Sequence, residues 1–365
     1  MVLIIRSRVS AALLAACFLT FSRPACAQSP ADTEAGAAIL LCEDGTVLYE
    51  KNADKRSLIA STTKLMTALV CLEHTGLDET VIPKARHCAV EGSSMYLKAG
   101  ESYTVRELLL GLLLSSGNDA ALALAEYTAG SESAFVALMN RKAEALGLSN
   151  THFENPHGLD AAAHYGSARD LASLMLCCME NPAFRDLNSQ RSAEVKGLTL
   201  LNHNKLLSSF PGCVGGKTGY TRAAGRCLVT CCEREGLRCV CVTLSDPDDW
   251  NDHRALYDWA YGSFAIHDLG RERSFEIPVV SGSRLTVRAA PGENARVVLP
   301  KGEETACDLE LPQFVFAPVE AGECAGKLTV KRADGKPVTF PLRYITGAAL
   351  ADPCLNPDEP EVLNP

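Results

Sequence analysis

The 365-residue chain contains no Cys-x-x-Cys pair, carries more acid than base, and has no apolar run of membrane-spanning length. The first absence removes the usual spacing of a zinc site. The second is a formal charge of −9, from 35 Lys and Arg against 44 Asp and Glu, and it argues against a general nucleic-acid binder. The third bears on both ends. Nothing near the C-terminus reads as a segment that spans a membrane or lies in its interface. At the other end, Val9 to Phe21 is short for a span. That stretch follows Arg6 and Arg8 and leads to Ala25-Cys26-Ala27. A basic region, an apolar core and a small-residue site are the parts of a secretory signal peptide, expected over residues 1–27. Its removal takes away Arg6, Arg8 and Arg23 and no acid, moving the formal charge from −9 to −12. The length that remains suits two domains.

Cysteine is abundant, with 16 in the chain and 14 once Cys17 and Cys26 are removed. An exported protein with an even count invites a disulfide framework. The placement points elsewhere: Cys177-Cys178 and Cys231-Cys232 are adjacent, and Cys227, Cys239 and Cys241 sit in apolar, strand-like runs. They read as buried thiols acting as small hydrophobes, an arrangement suited to export into an oxygen-poor setting.

In chain order, Ala37–Cys42 and Thr46–Glu50 around Glu43-Asp44-Gly45 read as a β-hairpin. A helix is expected from Ser61 to about Gly76, with Ser61 at its cap and Leu65, Met66, Leu69 and Val70 at helical spacing. Between Thr80 and Tyr103 the pattern is loop-rich. Thr104-Val105-Arg106-Glu107 is a capping box that launches the apolar run Leu108 to Leu114. Ser115-Ser116-Gly117-Asn118 interrupts it before a second apolar helix, Asp119 to Ala129, so a polar turn is wedged between two buried helices. Further helices are expected around Phe135 to Leu146, from Ser167 to Met179, and over Asp249 to Phe264. Arg226 to Cys232 and Arg238 to Leu244 read as a hairpin. From about Asp268 short alternating runs separated by Gly, Pro and Asp indicate a small all-β domain, and the Pro-rich, acidic residues 351–365 read as disordered. The expected organisation is therefore a signal peptide over 1–27, a main domain over 28–267, a β-rich domain over 268–350 and a tail over 351–365.

Ser61 and Lys64, three apart, share a helix face. Alone, the pair reads as an ordinary cap and a solvated lysine. Ser116-Gly117-Asn118 alone reads as a helix-linking turn, and Lys217-Thr218-Gly219 as a turn before a strand. Together and in this order they form the three-motif pattern of the active-site-serine penicillin-binding proteins and class A β-lactamases. The chemistry is consistent. A serine hydroxyl needs an adjacent base, and with no histidine motif beside it Lys64 is the candidate. Lys64 must then be neutral, which burial and a second cation such as Lys217 would favour. Ser116 would pass a proton to the leaving amine, and Asn118 would hold Lys64 and the substrate amide.

The wider motif set resembles the D-alanyl-D-alanine carboxypeptidases, the low-molecular-mass penicillin-binding proteins of peptidase family S11. It includes Asn52-Ala53-Asp54, Ala60-Ser61-Thr62-Thr63-Lys64-Leu65-Met66-Thr67, Gly92-Ser93-Ser94-Met95, Ser116-Gly117-Asn118-Asp119-Ala120, Asn155-Pro156-His157-Gly158-Leu159, His164 to Asp170, and Lys217-Thr218-Gly219-Tyr220-Thr221. The likeness covers about Ala37 to Phe264. It implies an α/β (α+β) penicillin-binding/β-lactamase-like fold, mainly an antiparallel sheet with helices on both faces, plus a small C-terminal all-β domain. It further implies Ser61, Lys64 and Ser116 as catalytic residues, and Asn118, Lys217, Thr218 and Gly219 as substrate-binding residues. Lys217 and Thr218 would take the substrate's terminal carboxylate, and the backbone N–H groups of Ser61 and Tyr220 would form the oxyanion hole. The implied partners are peptidoglycan stem peptides ending in D-Ala-D-Ala and β-lactam antibiotics. The implied location is outside the cell, in the wall or at the outer face of the cytoplasmic membrane, without the C-terminal amphipathic anchor of many members. No cofactor or metal is called for, and His157 and His164 read as structural.

Two departures stand out: Ile59 where the family often has Pro, and Tyr220 where His is also common. A class A-like β-lactamase is the nearest alternative, but it needs a glutamate-activated water, and no loop glutamate motif lies between Asn118 and Lys217. A non-catalytic wall-binding homologue would be free to lose Ser61, Lys64, Ser116, Asn118 and Lys217, all of which are present.

Overall fold

The structure is a computed structural model that describes residues 5–6, 30, 32–302 and 307–351. Apart from residues 5–6 and 351, the signal-peptide and tail readings fall outside the described residues. The chain divides into two compact units, one from Gln28 to Ser263 and the other from Phe264 onward together with the described residues 5–6.

The first unit combines a sheet with six principal helices, α1 Lys64–His74, α2 Val105–Leu113, α3 Asn118–Ala129, α4 Glu132–Ala145, α5 Ala168–Glu180 and α6 Asp249–Ser263. Local sequence sets their starts. Thr104 accepts from the Glu107 N–H at 3.1 Å while the Glu107 carboxylate accepts from the Thr104 N–H at 2.7 Å, the reciprocal capping expected for α2. Ser131 and Ser167 cap α4 and α5 one way only, accepting from the N–H groups of Ala134 and Asp170 at 3.2 and 3.1 Å. α2 is buried almost all round because its only polar positions lie in its first turn.

The sheet is built from β1 Ala37–Cys42, β2 Val47–Lys51, β3 Cys213–Thr221, β4 Gly225–Arg234 and β5 Leu237–Leu244. The order is β2-β1-β5-β4-β3, antiparallel throughout, with β3 at one edge. Strand alternation assigns the two faces. Val240, Val242 and Leu244 of β5, with Cys227, Val229 and Cys231 of β4, join the core that α1 to α5 complete. Thr230 and Thr243 point the other way, to α6, where His253 Nδ1 lies 2.7 Å from Thr230 Oγ1 and the Tyr257 hydroxyl donates to the Thr230 carbonyl at 2.8 Å. Helices therefore cover both faces, as expected.

The described cysteines are free thiols, most of them buried. Register sets Cys42, Cys239, Cys232 and Cys213 side by side across β1, β5, β4 and β3, and the Cys42 and Cys239 sulfurs are 3.1 Å apart.

Three local features were read differently or not at all. Lys217-Thr218-Gly219, which taken alone reads as a turn before a strand, lies inside strand β3, because close packing rather than a turn requires its glycine at 219. A hairpin, Ser192–Val195 with Leu198–Leu201, turns at Lys196-Gly197 with both residues at positive φ. The third difference is at Ser61, described below.

The second unit has its own core, including Val287, Val297, Leu328 and Leu342. Its main sheet runs Cys307–Glu310, Cys324–Lys331, Pro337–Tyr344, Thr286–Pro291, Phe275–Val280 and Val315–Phe316, with residues 5–6 beside the Cys307 edge. Phe264–Asp268 pairs separately with Arg296–Pro300.

Candidate active site

The chain enters α1 through a tight turn of 3-10 helix, Ala60–Thr63, and Ala60 itself has φ of +45°. The turn is fastened by the Thr62 and Thr63 hydroxyls, which donate to the carbonyls of Ile59 and Ala60 at 2.6 and 2.8 Å. Ile59 holds the cap position and no side-chain cap bond forms. The expectation that Ser61 caps the helix is therefore corrected. Its hydroxyl is left for other work.

Lys64 is fully buried, which excludes a solvated lysine. Its Nζ reaches three oxygens: Ser61 Oγ at 2.9 Å, Asn118 Oδ1 at 2.7 Å and the His157 carbonyl at 2.7 Å. Asn118 is itself fixed. Its backbone N–H donates to the Ser93 carbonyl at 2.7 Å and its Nδ2 to the Glu91 carbonyl at 2.6 Å. Ser116, in the turn between α2 and α3, is held at φ +60°, and Lys217 Nζ donates to its Oγ at 3.0 Å and to the Thr218 carbonyl at 2.8 Å. All three motifs thus meet.

Edge strand β3 runs against the 3-10 turn. A Cβ at Gly219 would lie 3.0 Å from Ser61 N and 3.1 Å from both Ala60 Cβ and the Ile59 carbonyl, so only glycine permits this approach. Tyr220, the next residue, has its side chain exposed. Thr218 and Gly219 line, with Ser61, Ser93 and Ser116, a cleft of about 540 Å³.

Two lysines share this buried region. Burial pushes Lys64 well below the ordinary lysine range, the nearby Lys217 charge pushes it further, and Asp119 opposes both. Burial alone brings Lys217 down to about 7. His157 and His164 are pushed down to about 3 and about 4, burial being the main cause, so both are neutral at pH 7. They support the site: His164 Nε2 is 2.8 Å from Thr63 Oγ1, and His157 Nδ1 accepts from the Leu159 N–H at 3.2 Å. No cluster able to hold a metal occurs among the described residues.

Two contributors escaped sequence reasoning. One is the His157 main-chain oxygen. Its signal was the turn Asn155–Leu159, where Gly158 has φ +92° and a Cβ would fall 2.0 Å from the Ala60 carbonyl oxygen. The other is Asp119, buried at the start of α3, which accepts from the backbone N–H groups of Met95 and Leu97, both at 3.0 Å, and from the Ser94 hydroxyl at 2.6 Å. It ties residues 93–97 to the floor of the cleft. An acid in the first turn of an otherwise apolar helix was the available clue.

Comparison with known proteins bears on this arrangement. Residues 24–248 match the family model described as D-alanyl-D-alanine carboxypeptidase, peptidase S11. The chain is 32% identical over 322 residues to D-alanyl-D-alanine carboxypeptidase DacF of Bacillus subtilis, covering 83% of this chain and 82% of that one. It is 36% identical over 231 residues to DacB2 of Mycobacterium tuberculosis, covering 60% and 79%. Among solved structures, penicillin binding protein 5 of Haemophilus influenzae superimposes with a TM-score of 0.76 at 27% identity, covering 88% of this chain and 99% of that one.

Proposed function

The chain belongs to the D-alanyl-D-alanine carboxypeptidase family of serine peptidases, S11, and from that premise we propose that Ser61 is the nucleophile that opens a D-Ala-D-Ala peptide bond and Lys64 its base. The enzyme is a serine-type D-Ala-D-Ala carboxypeptidase that works through an acyl-enzyme and binds β-lactams. The observation that carries the residue assignment is the trio of oxygens around Lys64 Nζ. A neutral amine has two N–H donors and one lone pair. Asn118 Oδ1 and the His157 carbonyl occupy the donors, and the lone pair faces Ser61 Oγ.

Ser61 Oγ attacks the carbonyl of the penultimate D-alanine while its proton passes to Lys64 Nζ. The backbone N–H groups of Ser61 and Tyr220 receive the developing oxyanion. The close approach of Gly219 to Ser61 N supports that pairing, and such a donor contributes roughly 3 kcal/mol to the transition state. The proton reaches the departing amine through Ser116, whose hydroxyl accepts from Lys217. The C–N bond breaks, D-alanine leaves, and water hydrolyses the ester on Ser61 with Lys64 again taking the proton. Thr218 and Lys217 border the space for the leaving residue, and Gly219 lets the substrate lie along β3.

The substrate places the enzyme outside the cytoplasm, and the signal-peptide pattern of residues 1–27 agrees. No helix among the described residues is long and apolar enough to cross a membrane. The acidic charge and the shape of the site support small peptide partners rather than nucleic acid.

The test pairs a labelled penicillin with a pentapeptide ending in D-Ala-D-Ala, on the mature protein and on Ser61→Ala. Stable labelling and D-alanine release, both lost in the variant, are expected. Rapid turnover of the penicillin would instead indicate a β-lactamase, and no labelling a non-catalytic homologue.

A further inference from the structure

We propose that Cys42, Cys239, Cys232 and Cys213, aligned across the sheet of the first unit, are a redox-responsive modification site. Met by a disulfide oxidant, they close into two cross-strand disulfides, Cys42–Cys239 and Cys213–Cys232. The second clamps the strand that carries Lys217 to its neighbour.

Strand register makes the row. Cys42 stands opposite Cys239, Cys239 opposite Cys232, and Cys232 opposite Cys213, so the four side chains share one sheet face. The other cysteines of this sheet have no such neighbour. Cys241 stands opposite Leu40 and Thr230, Cys227 opposite Leu244 and Gly219, and Cys231 opposite Val240 and Gly215.

Backbone hydrogen bonding divides the row into pairs. Opposed residues of an antiparallel ladder alternate between hydrogen-bonded pairs, with Cα atoms about 5.5 Å apart, and non-hydrogen-bonded pairs at about 4.5 Å, whose side chains are closer. The two-residue turn Glu235-Gly236 joins β4 to β5 with both residues at positive φ, which makes Arg234 and Leu237 a hydrogen-bonded pair. Cys232 and Cys239, two residues further along each strand, are therefore also the wider kind. On the outer sides the peptide groups turn away. Cys42 N–H donates to the Thr46 carbonyl at 2.9 Å, and Cys213 N–H to the Phe210 carbonyl at 3.2 Å. The flanking Glu43 and Glu233 N–H groups make the cross-strand bonds instead, to the Arg238 and Gly212 carbonyls at 3.0 and 2.8 Å. Cys42–Cys239 and Cys213–Cys232 are thus the two close pairs. The Cys42 and Cys239 sulfurs are 3.1 Å apart, about 1 Å more than a disulfide requires. The Cys213 and Cys232 thiols are hydrogen-bonded to each other.

Of the four, only Cys213 reaches solvent, at the start of edge strand β3; Cys42, Cys239 and Cys232 are fully buried. The bond from Cys232 lowers the Cys213 pKa against the effect of burial, and Asn204 Nδ2 donates to its sulfur at 3.6 Å. The Cys213 thiolate attacks one sulfur of an incoming disulfide RSSR. The S–S bond breaks, RS⁻ leaves and takes up the proton Cys213 gave away, and a mixed disulfide remains on Cys213. Cys232 then attacks the Cys213 sulfur, its proton goes to the second RS⁻, and the Cys213–Cys232 bond forms. Two electrons pass to the oxidant and two RSH are released. The inner pair has no path to solvent in the folded sheet, so it closes by the same exchange while the chain folds. It joins residues 197 positions apart, a long loop whose closure restricts the unfolded chain strongly. In a reducing exterior all four stay thiols and pack as small hydrophobes.

The experiment exposes the mature protein, purified with reductant, to glutathione disulfide at pH 8, either folded or during refolding from denaturant. Peptides are then mapped without reduction. The folded protein should gain Cys213–Cys232 alone, and the refolded protein should gain that bond and Cys42–Cys239. Cys227, Cys231 and Cys241 should remain thiols in both. Cys232→Ser should instead hold one glutathione on Cys213. The refolded, oxidised wild type should melt at least about 4 °C above its reduced form, a shift absent from a Cys42→Ala, Cys213→Ala double variant. Mapping on the wild type keeps the outcome readable if a variant fails to fold. A Cys232–Cys239 bond, or four free thiols after refolding with the oxidant, overturns the inference. So does a lasting glutathione adduct on Cys213 of the wild type.

Discussion

Lys64 Nζ lies 2.7 Å from the main-chain oxygen of His157, ninety-three residues further along the chain. With Asn118 Oδ1 at the same distance, this carbonyl determines how a neutral amine must point. In the proposed mechanism both N–H bonds of the neutral amine are engaged, and its lone pair is directed at Ser61. A base with a lone pair is what arginine cannot supply, because its guanidinium does not deprotonate. Lys64→Arg and Lys64→Gln should each slow acylation by a labelled penicillin by roughly 10²- to 10⁴-fold and still melt cooperatively. A folded Lys64→Gln that acylates at the wild-type rate would remove Lys64 from the base role.

The two lysines should shape the pH profile from opposite sides. As the proposed base, Lys64 would act when neutral, so activity should rise as pH climbs through its depressed pKa. In the same proposal Lys217 would act when charged, holding Lys64 neutral and attracting the substrate, so kcat/KM should fall as pH rises through about 7. An anionic substrate beside Lys217 favours its charged form, which should move the descending limb of kcat to higher pH than that of kcat/KM. Lys217→Arg should remove the descending limb below pH 10 or so, since arginine stays charged. A limb that remains where it was would assign the titration to another group.

Much of this arrangement was legible because its elements carry local signals. The Thr104–Glu107 capping box, the apolar α2 and α3 with a polar turn between them, and the alternation of β4 and β5 each specify structure within a few residues. Ser61 was misread because Ser at the start of an apolar helix usually caps it, whereas here Thr62 and Thr63 fasten a preceding 3-10 turn. Lys217-Thr218-Gly219 looked like a turn because glycine commonly marks one. Gly219 is there instead because another backbone lies against it, a non-local cause invisible in a linear pattern. The His157 carbonyl was harder still, since main-chain oxygens leave no residue-type signature.

The reading of cysteine as a small hydrophobe makes a chemical prediction. Burial pushes the Cys71 thiol up to about 12 and Cys227 to about 11, so neither offers a thiolate or a path to solvent. Cys213 differs: it is only partly buried, and a hydrogen bond from Cys232 holds its thiol below the ordinary value, opposed by desolvation. Brief alkylation of the native protein at pH 8, followed by peptide mapping, should label Cys213 well ahead of the equally partly buried Cys177, whose thiol burial raises. Cys71 and Cys227 should react only in denaturant. Slower labelling of Cys213 than of Cys177 would contradict this account.

Gly158 is where the fold and the candidate chemistry are most tightly joined. Its φ of +92° strains any other residue, and a Cβ there would sit 2.0 Å from the Ala60 carbonyl oxygen and 2.9 Å from Thr63 Oγ1. Both atoms belong to the turn that carries Ser61, and the preceding residue supplies the carbonyl to Lys64. Gly158→Ala must therefore push the 155–159 loop and the 3-10 turn apart. The stability cost should reach about 2–4 kcal/mol, a drop of roughly 4–16 °C in Tm. At temperatures where the variant remains folded, acylation should still fall by at least about tenfold, because the His157 oxygen moves away from Lys64 and the lone pair loses its direction. Full acylation by a folded Gly158→Ala would mean that the loop tolerates the shift and that the His157 carbonyl does not orient the base.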